Sequence, residues 1–317
     1  MNLDYINITK SLCKDTFCKD YLQKNAVYNE AVQYYLKGCR NIEVWHNVNL
    51  NQMNIKGSIP YFINGHNYFS SMNDWKEGLD YIANCLNQNI YTSNVNKFEY
   101  GTIQEIPFDE KDFLHNHIKV KGMKTKPYYQ GNVITGKQFE NNNLKIKLYD
   151  VSRNIKNKLD YSIRKDLSSF YGWDKEKHYI KVENHYKKPE MIFKQQKIIL
   201  SELLTEEWLR LLQIYLINTY NSIMKTGSIH IPATKSDINA GTIPLMVLKE
   251  LESIFEINAE ELIKQKIKSI PKEIFTKNDR KARIKQINEN LKKISSKEKS
   301  SYDITDLLNL KLNEKNI

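Results

Sequence analysis

The chain has 317 residues, of which 40% are hydrophobic and 11% aromatic, a composition that excludes an intrinsically disordered protein. Lys and Arg number 48 against 37 Asp and Glu, a formal charge of +11. No apolar run approaches the ~18–20 residues of a membrane span. Asp4 interrupts the first apolar stretch, so no secretory signal is expected. The expected location is the cytoplasm, with no membrane partner.

The charge is concentrated. Residues 111–197 carry 20 basic and 9 acidic side chains, and residues 264–299 carry 13 and 4, whereas the remainder is net acidic. Two basic blocks on an acidic background point to polyanion-binding surfaces, nucleic acid above all. A Lys- and Asn-rich composition alone would leave the acids evenly spread. The four cysteines (Cys13, Cys18, Cys39, Cys85) form no CxxC pair and no zinc-site spacing, so reduced thiols are expected.

In chain order, the first fifty residues show no strong period apart from a strand at 42–48, and 53–63 reads as a second strand around Gly57 and Pro60. Asn64-Gly65-His66-Asn67 reads as a turn. Ser71 with Asp74 is a capping box, opening a helix whose Trp75, Leu79, Ile82, Ala83 and Leu86 form one apolar face. Residues 95–103 alternate as a strand, as do 144–149 and 179–186, with a helix expected near 150–169. Thr205-Glu206-Glu207 caps a further amphipathic helix, 227–244 is a loop-rich bridge, and Asn258 with Glu261 caps the helix that leads into the second basic block.

Period-2 alternation places Lys97 and Glu99, Lys147 and Tyr149, and Lys181, Glu183 and His185 on polar strand faces. In one sheet they would meet on its open face. Two carboxylates from separate strands suit a hard divalent cation, and a tyrosine beside them could attack phosphorus if neighbouring cations help it ionise. Alternating Lys and Glu also suit a merely solvated sheet face, and spacing leaves both readings open. His115-Asn116-His117 has the spacing of a two-histidine metal motif, but its flanks favour a loop. Tyr128 and Tyr129 could stack on unpaired bases, although packing in a core is the expectation.

In order along the chain, Gly65-His66-Asn67 before an amphipathic helix, Lys97-Phe98-Glu99, Leu148-Tyr149-Asp150 and Lys181-Val182-Glu183 resemble blocks of the rolling-circle replication-initiation endonucleases of filamentous phages and related phage and plasmid initiators. The resemblance spans residues 53–190. Two blocks depart from the family pattern: Lys97-x-Glu99 stands for Arg-x-Asp, and Lys181-x-Glu183 for Arg-x-Glu, which loses a bidentate guanidinium.

The resemblance implies that Tyr149 is the nucleophile, assisted by Lys147 and Lys181. Glu99 and Glu183 would hold Mg²⁺ or Mn²⁺. Arg153, His185, Lys187 and Lys188 would contact DNA, joined by Lys277, Arg280, Lys281, Arg283 and Lys285 of the second basic block. Partners would be origin DNA, double- and single-stranded, and host helicase and polymerase. The alternative is a non-catalytic origin-binding initiator or regulator that recruits host replication proteins. The expected architecture is α+β: a central, mostly antiparallel sheet covered by helices on one face, over residues 1–204. A smaller helical domain would follow at 205–317, with the boundary anywhere in 200–228.

Overall fold

The computed structural model describes residues 2–12, 18–68, 70–225, 241–245, 247–248, 259–271, 273–294 and 302–313. The expected cap at Asn258 and most of the expected bridge at 227–244 lie outside them. The chain opens with β1 (Asn2–Ser11), β2 (Leu22–Tyr28), β3 (Ala31–Leu36), β4 (Cys39–Asn47), β5 (Gln52–Ser58), α1 (Ile59–Asn64), α2 (Met72–Leu86) and β6 (Asn94–Ile106). It continues with α3 (Glu110–Asn116), β7 (His117–Val120), β8 (Lys124–Gln130), β9 (Val133–Glu140), β10 (Leu144–Asp150), α4 (Val151–Lys158), α5 (Tyr161–Tyr171) and β11 (His178–Tyr186). Then come α6 (Pro189–Phe193), α7 (Leu200–Leu203), α8 (Glu206–Asn221), β12 (Ile223–Lys225), α9 (Ala259–Ser269), α10 (Lys277–Ile294) and α11 (Thr305–Asn313).

Ten strands form one antiparallel sheet in the order β2-β3-β4-β5-β1-β6-β11-β10-β9-β8, so the protein is α+β, with helices flanking the sheet and further helices toward the C-terminus. Alternation decides which residues go in. Ile6 and Ile8 of β1, Val44 of β4, Ile55 of β5, Phe98 and Tyr100 of β6, Ile146 and Leu148 of β10, and Ile180 and Val182 of β11 are buried. The helix α2 begins at the Ser71–Asp74 capping box, with both reciprocal bonds formed. Its Trp75 indole N–H donates to the Leu3 carbonyl at 2.6 Å, which ties the helix to β1.

Over β6 and β11 lies α8, capped by Thr205. Its Thr219 hydroxyl accepts from the Asn184 amide at 2.8 Å, and the Leu209 carbonyl accepts from the Tyr100 hydroxyl at 3.4 Å. Aromatic contacts fill the space between: Phe98 stacks on Tyr186 at 4.6 Å, and Phe193 meets the Trp208 edge at 5.0 Å. A smaller cluster of Tyr68, Ile103, Val151, Ile155, Leu167, Trp173 and Tyr179 is built around α4 and α5, and Tyr149 packs against it.

Several local expectations are corrected. The strand expected at 53–63 ends at Ser58, whose side chain caps α1, and Pro60 sits in that helix's first turn, where its missing N–H costs nothing. The single helix expected near 150–169 is two, α4 and α5, separated at Leu159 and Asp160. The loop expected at 115–117 is instead a helix end followed by a strand start: His115 is exposed while His117 is fully buried, so the two imidazoles do not share an open face.

The chain divides into two compact units. One comprises residues 1–114, 121–222 and 304–317 and holds the ten-stranded sheet together with α8; the other comprises residues 115–120 and 223–303. In the second, β12 pairs with β7, and Leu245 and Leu291 anchor a small apolar cluster.

Asp150 caps α4, accepting from the Arg153 backbone N–H at 2.8 Å. Burial, reinforced by Glu110 and opposed by Arg153, pushes its carboxyl up to about 6. The folded state therefore holds this proton more tightly than the unfolded chain. Stability falls as pH rises from about 3.8 to 6, and the cost persists above that range. Asp150→Asn keeps a capping oxygen and removes the ionisation cost. Urea denaturation should show it stabilised by about 1–3 kcal/mol at neutral pH and not in acid below the unfolded carboxyl range. An equal gain at both pH values would assign the effect to something other than the carboxyl.

Candidate functional site

Four neighbouring strands bring one polar cluster together on the sheet face opposite α8. The register pairs Lys147 with Glu183 and Tyr149 with Lys181 between β10 and β11, and His185 with Glu99 between β11 and β6. Paired residues share a face, so Lys147, Tyr149, Lys181, Glu183, His185 and Glu99 converge as the alternation requires.

The remaining member comes from β1, and sequence reasoning missed it. Between β1 and β6 the pairing steps from Leu3↔Tyr100 to Ile6↔Phe98, three residues against two. This β-bulge breaks the alternation and turns Asp4 into the cluster. There its carboxylate accepts from the Ser58 hydroxyl at 2.6 Å, the Asn67 amide at 2.6 Å and Lys181 Nζ at 2.7 Å. One carboxylate oxygen from each of Asp4, Glu99 and Glu183 lies within 4.8 Å of the others.

Charges alternate through the cluster. Lys181 Nζ bridges Asp4 (2.7 Å) and Glu183 (2.9 Å), and Lys147 Nζ bridges Glu183 (2.8 Å) and Glu99 (2.6 Å). His185 Nδ1 lies 2.5 Å from Glu99, and the ring stacks on Tyr5 at 6.1 Å. Burial alone would push the Glu183 carboxyl up, but Lys181 and Lys147 outweigh it and hold the carboxyl down to about 2. Both lysines are held charged: burial opposes it, while Glu183 and Glu99 raise Lys147, and Asp4, Tyr149 and Glu183 raise Lys181.

Tyr149 is half-buried. Its hydroxyl lies 3.4 Å from Glu183 Oε2, and Lys181 Nζ stands 5.8 Å from its ring centroid. Burial raises the phenol well above its ordinary range; Glu183 and Asp4 raise it further, and Lys181 opposes them. In this arrangement the tyrosine is neutral.

Two glycines make the close packing possible. Gly101 pairs with Glu183, and a Cβ there would sit 2.6 Å from the Val182 carbonyl and 3.0 Å from Glu183 Cβ. Gly136 pairs with Tyr149, and a Cβ there would sit 3.1 Å from Tyr149 Cβ. Neither position tolerates a side chain without moving a site residue.

The other expected residues are spread out. Lys97 is exposed on β6. Arg153 on α4 donates from Nε to Gln130 at 2.8 Å, Lys187 pairs with Glu140 at 3.3 Å, and Lys188 is exposed at the start of α6. On α10, Lys277, Lys281, Arg283 and Lys285 are exposed. Arg280 is half-buried and donates to the Ile270 carbonyl at 2.5 Å. These five belong to the second compact unit, whereas the carboxylate cluster lies wholly in the first.

The donor set fits a hard divalent cation. Three carboxylate oxygens converge from three strands, and oxygen ligands are what Mg²⁺, Mn²⁺ and Ca²⁺ take. Three carboxylates against two ammonium groups leave one negative charge to attract it. A scan against protein-family models, a search of curated proteins and a search of solved structures each found no match. Among the described residues, no helix is long and apolar enough to cross a membrane.

Removing one partner of a buried ion pair leaves the other charge uncompensated. Lys181→Met should cost about 3–5 kcal/mol in chemical denaturation, whereas Lys97→Met at an exposed position should stay within about 0.5 kcal/mol. Glu183 adds a signature in acid. Its stabilisation is complete above its ordinary value of 4.5 and is lost as the pH falls toward about 2. Comparable losses for both lysine variants would mean that the cluster is not the electrostatic centre of the sheet.

Proposed function

We propose that the protein is a metal-dependent DNA strand transferase that nicks origin DNA through Tyr149 and so initiates rolling-circle replication in the cytoplasm. One observation carries the reading: a tyrosine hydroxyl within 3.4 Å of a carboxylate belonging to a three-carboxylate, two-lysine cluster, all on rigid strands of one sheet. The resemblance of the Tyr149, Glu99 and Glu183 strands to the initiator endonucleases supports the same assignment.

Asp4, Glu99 and Glu183 would hold the cation, Mg²⁺ or Mn²⁺. When bound, it supplies the positive charge that eases ionisation of the phenol and offsets charge developing on the phosphoryl oxygens. The chain's own groups do the rest. The Tyr149 oxygen attacks the phosphorus, a P–O bond forms to tyrosine, and the bond from phosphorus to the 3′ oxygen breaks. The phenolic proton passes to water, and the departing 3′ oxygen takes one up from water to become the 3′-OH. Lys147 and Lys181 stand beside the transferring group as fixed cations. Bond count and charge are conserved, so the 5′-phosphotyrosyl link can be reversed without a nucleotide cofactor.

Arg153, Lys187 and Lys188 would hold the strand near the site. Lys277, Lys281, Arg283 and Lys285 would add phosphate contacts that position the origin without reading its sequence. The free 3′-OH would be handed to a host polymerase, with a host helicase opening the duplex.

The second reading, a non-catalytic origin binder, is favoured by the same lysines. They already neutralise most of the carboxylate charge, and Tyr149 packs against an apolar cluster. Incubation with Mn²⁺ and single-stranded origin DNA separates the two. A denaturation-stable protein–DNA adduct is expected for the wild type and none for Tyr149→Phe, with DNA affinity unchanged. No adduct from the wild type would leave the binding reading.

The cation has its own test. Millimolar Mn²⁺ should raise the melting temperature by preferential binding to the folded state, and Glu183→Gln should abolish that rise. A rise that survives Glu183→Gln would place the ion elsewhere.

A further inference from the structure

We propose that the outer edge of the sheet, the β8–β9 ribbon, is a stacking platform for a single DNA strand, continuous with the carboxylate cluster. The inference deepens the strand-transfer reading and rests on it for the identity of the strand, but not for the surface itself.

The register lays out the surface. Three rows of paired residues cross five strands on one face. One runs Lys124, Glu140, Lys145, His185, Glu99; the next Lys126, Gln138, Lys147, Glu183, Gly101; the third Tyr128, Gly136, Tyr149, Lys181, Ile103. Lys124, Lys126 and Tyr128 are therefore the outward continuation of the rows that hold Glu99, Glu183 and Tyr149. At the usual interstrand spacing, Tyr128 stands about 10 Å from Tyr149.

Between the two tyrosines the row holds only Gly136. A Cβ at that glycine would come within 3.1 Å of Tyr149 Cβ and 3.5 Å of the Tyr128 ring. Gly136 is buried, with the Tyr128 ring lying over it toward Tyr149, so aromatic surface runs inward from the edge toward the site.

All seven residues of β8 are exposed, and Tyr128 and Tyr129 keep 40% and 59% of their surface. Core packing of these two rings, expected from the sequence, does not occur: both lie on an exposed edge strand. Lys126 Nζ lies over the Tyr128 ring at 5.6 Å, and the Tyr128 hydroxyl is fixed by Gln138. A held aromatic ring beside exposed cations suits an unpaired strand, whose bases offer their π-faces and whose phosphates need neutralising. A duplex hides its base faces and would use only the lysines. Pro127 and two lysines along the same strand disfavour addition of a second copy of the chain to this edge.

The test uses the full chain in EDTA, so that binding is read without cleavage, with a labelled mixed-sequence oligodeoxynucleotide as single strand or as duplex. Tyr128→Ala should weaken single-strand binding about tenfold and leave duplex binding within about twofold, whereas Tyr129→Ala, on the other face of β8, should change neither. Tyr128→Phe should retain single-strand affinity. Lys124→Ala with Lys126→Ala should flatten the single-strand salt dependence by about 1.4 in log–log slope, two phosphates' worth.

Equal losses for duplex and single strand, no loss at all, tighter binding of RNA of the same sequence, or a change in oligomeric state would each overturn the proposal. Failure is distinguishable from failure of the nuclease reading. A wild-type adduct with unchanged binding by the alanine variant sinks the ribbon alone. Lost single-strand binding with no wild-type adduct sinks the nuclease alone.

Discussion

Five charges in alternation, Asp4, Lys181, Glu183, Lys147 and Glu99, hold the middle of this sheet together. Lys181 and Glu183 are almost fully buried and Asp4 nearly so, and burying any one of them alone would be expensive. Together they bridge four strands at hydrogen-bonding distance. Much around them exists to make that packing possible: the bulge that turns Asp4 inward, Ser58 and Asn67 that donate to two more of its acceptor sites, and Gly101 that lets β6 approach Glu183. Ser58 also caps α1, so the same hydroxyl links the cluster to the start of a helix.

The two faces of the sheet serve different ends. One is apolar and covered by helices, with Trp75 tied to β1 and Thr219 to β11, which fixes the strands. The other keeps the charged cluster at a partly open surface, bounded by the α4–α5 cluster against which Tyr149 packs. A site on strands is placed more reproducibly than one on loops.

Much of this was legible in the sequence, because strict alternation carries over from sequence to space. Leu144-Lys145-Ile146-Lys147-Leu148-Tyr149 and Ile180-Lys181-Val182-Glu183 placed their polar residues on one face, and antiparallel pairing then brought Tyr149, Glu183 and Glu99 together. Asp4 was not legible. It interrupted an apolar run and served only to argue against a signal peptide, because a bulge has no sequence signature of its own and depends on a partner strand some ninety residues away. Lys147 and Lys181 were read as aids to ionisation, although in the resting structure they chiefly neutralise carboxylates. Pro60 stood in an apolar run that resembled a strand, and only the Ser58 cap reveals the helix. Tyr128 and Tyr129 looked like core residues because nothing in the sequence marks β8 as the last strand of the sheet.

The most direct test of the proposed strand transfer is to find whether DNA becomes bonded to Tyr149. After incubation with Mn²⁺ and a single-stranded origin oligonucleotide, nuclease trimming and tryptic digestion, mass spectrometry should find the nucleotide increment on the peptide Leu148-Tyr149-Asp150-Val151-Ser152-Arg153. Fragmentation should assign it to Tyr149. An increment on another tyrosine, or complete recovery of that peptide unmodified from protein that has cleaved the DNA, would contradict the account.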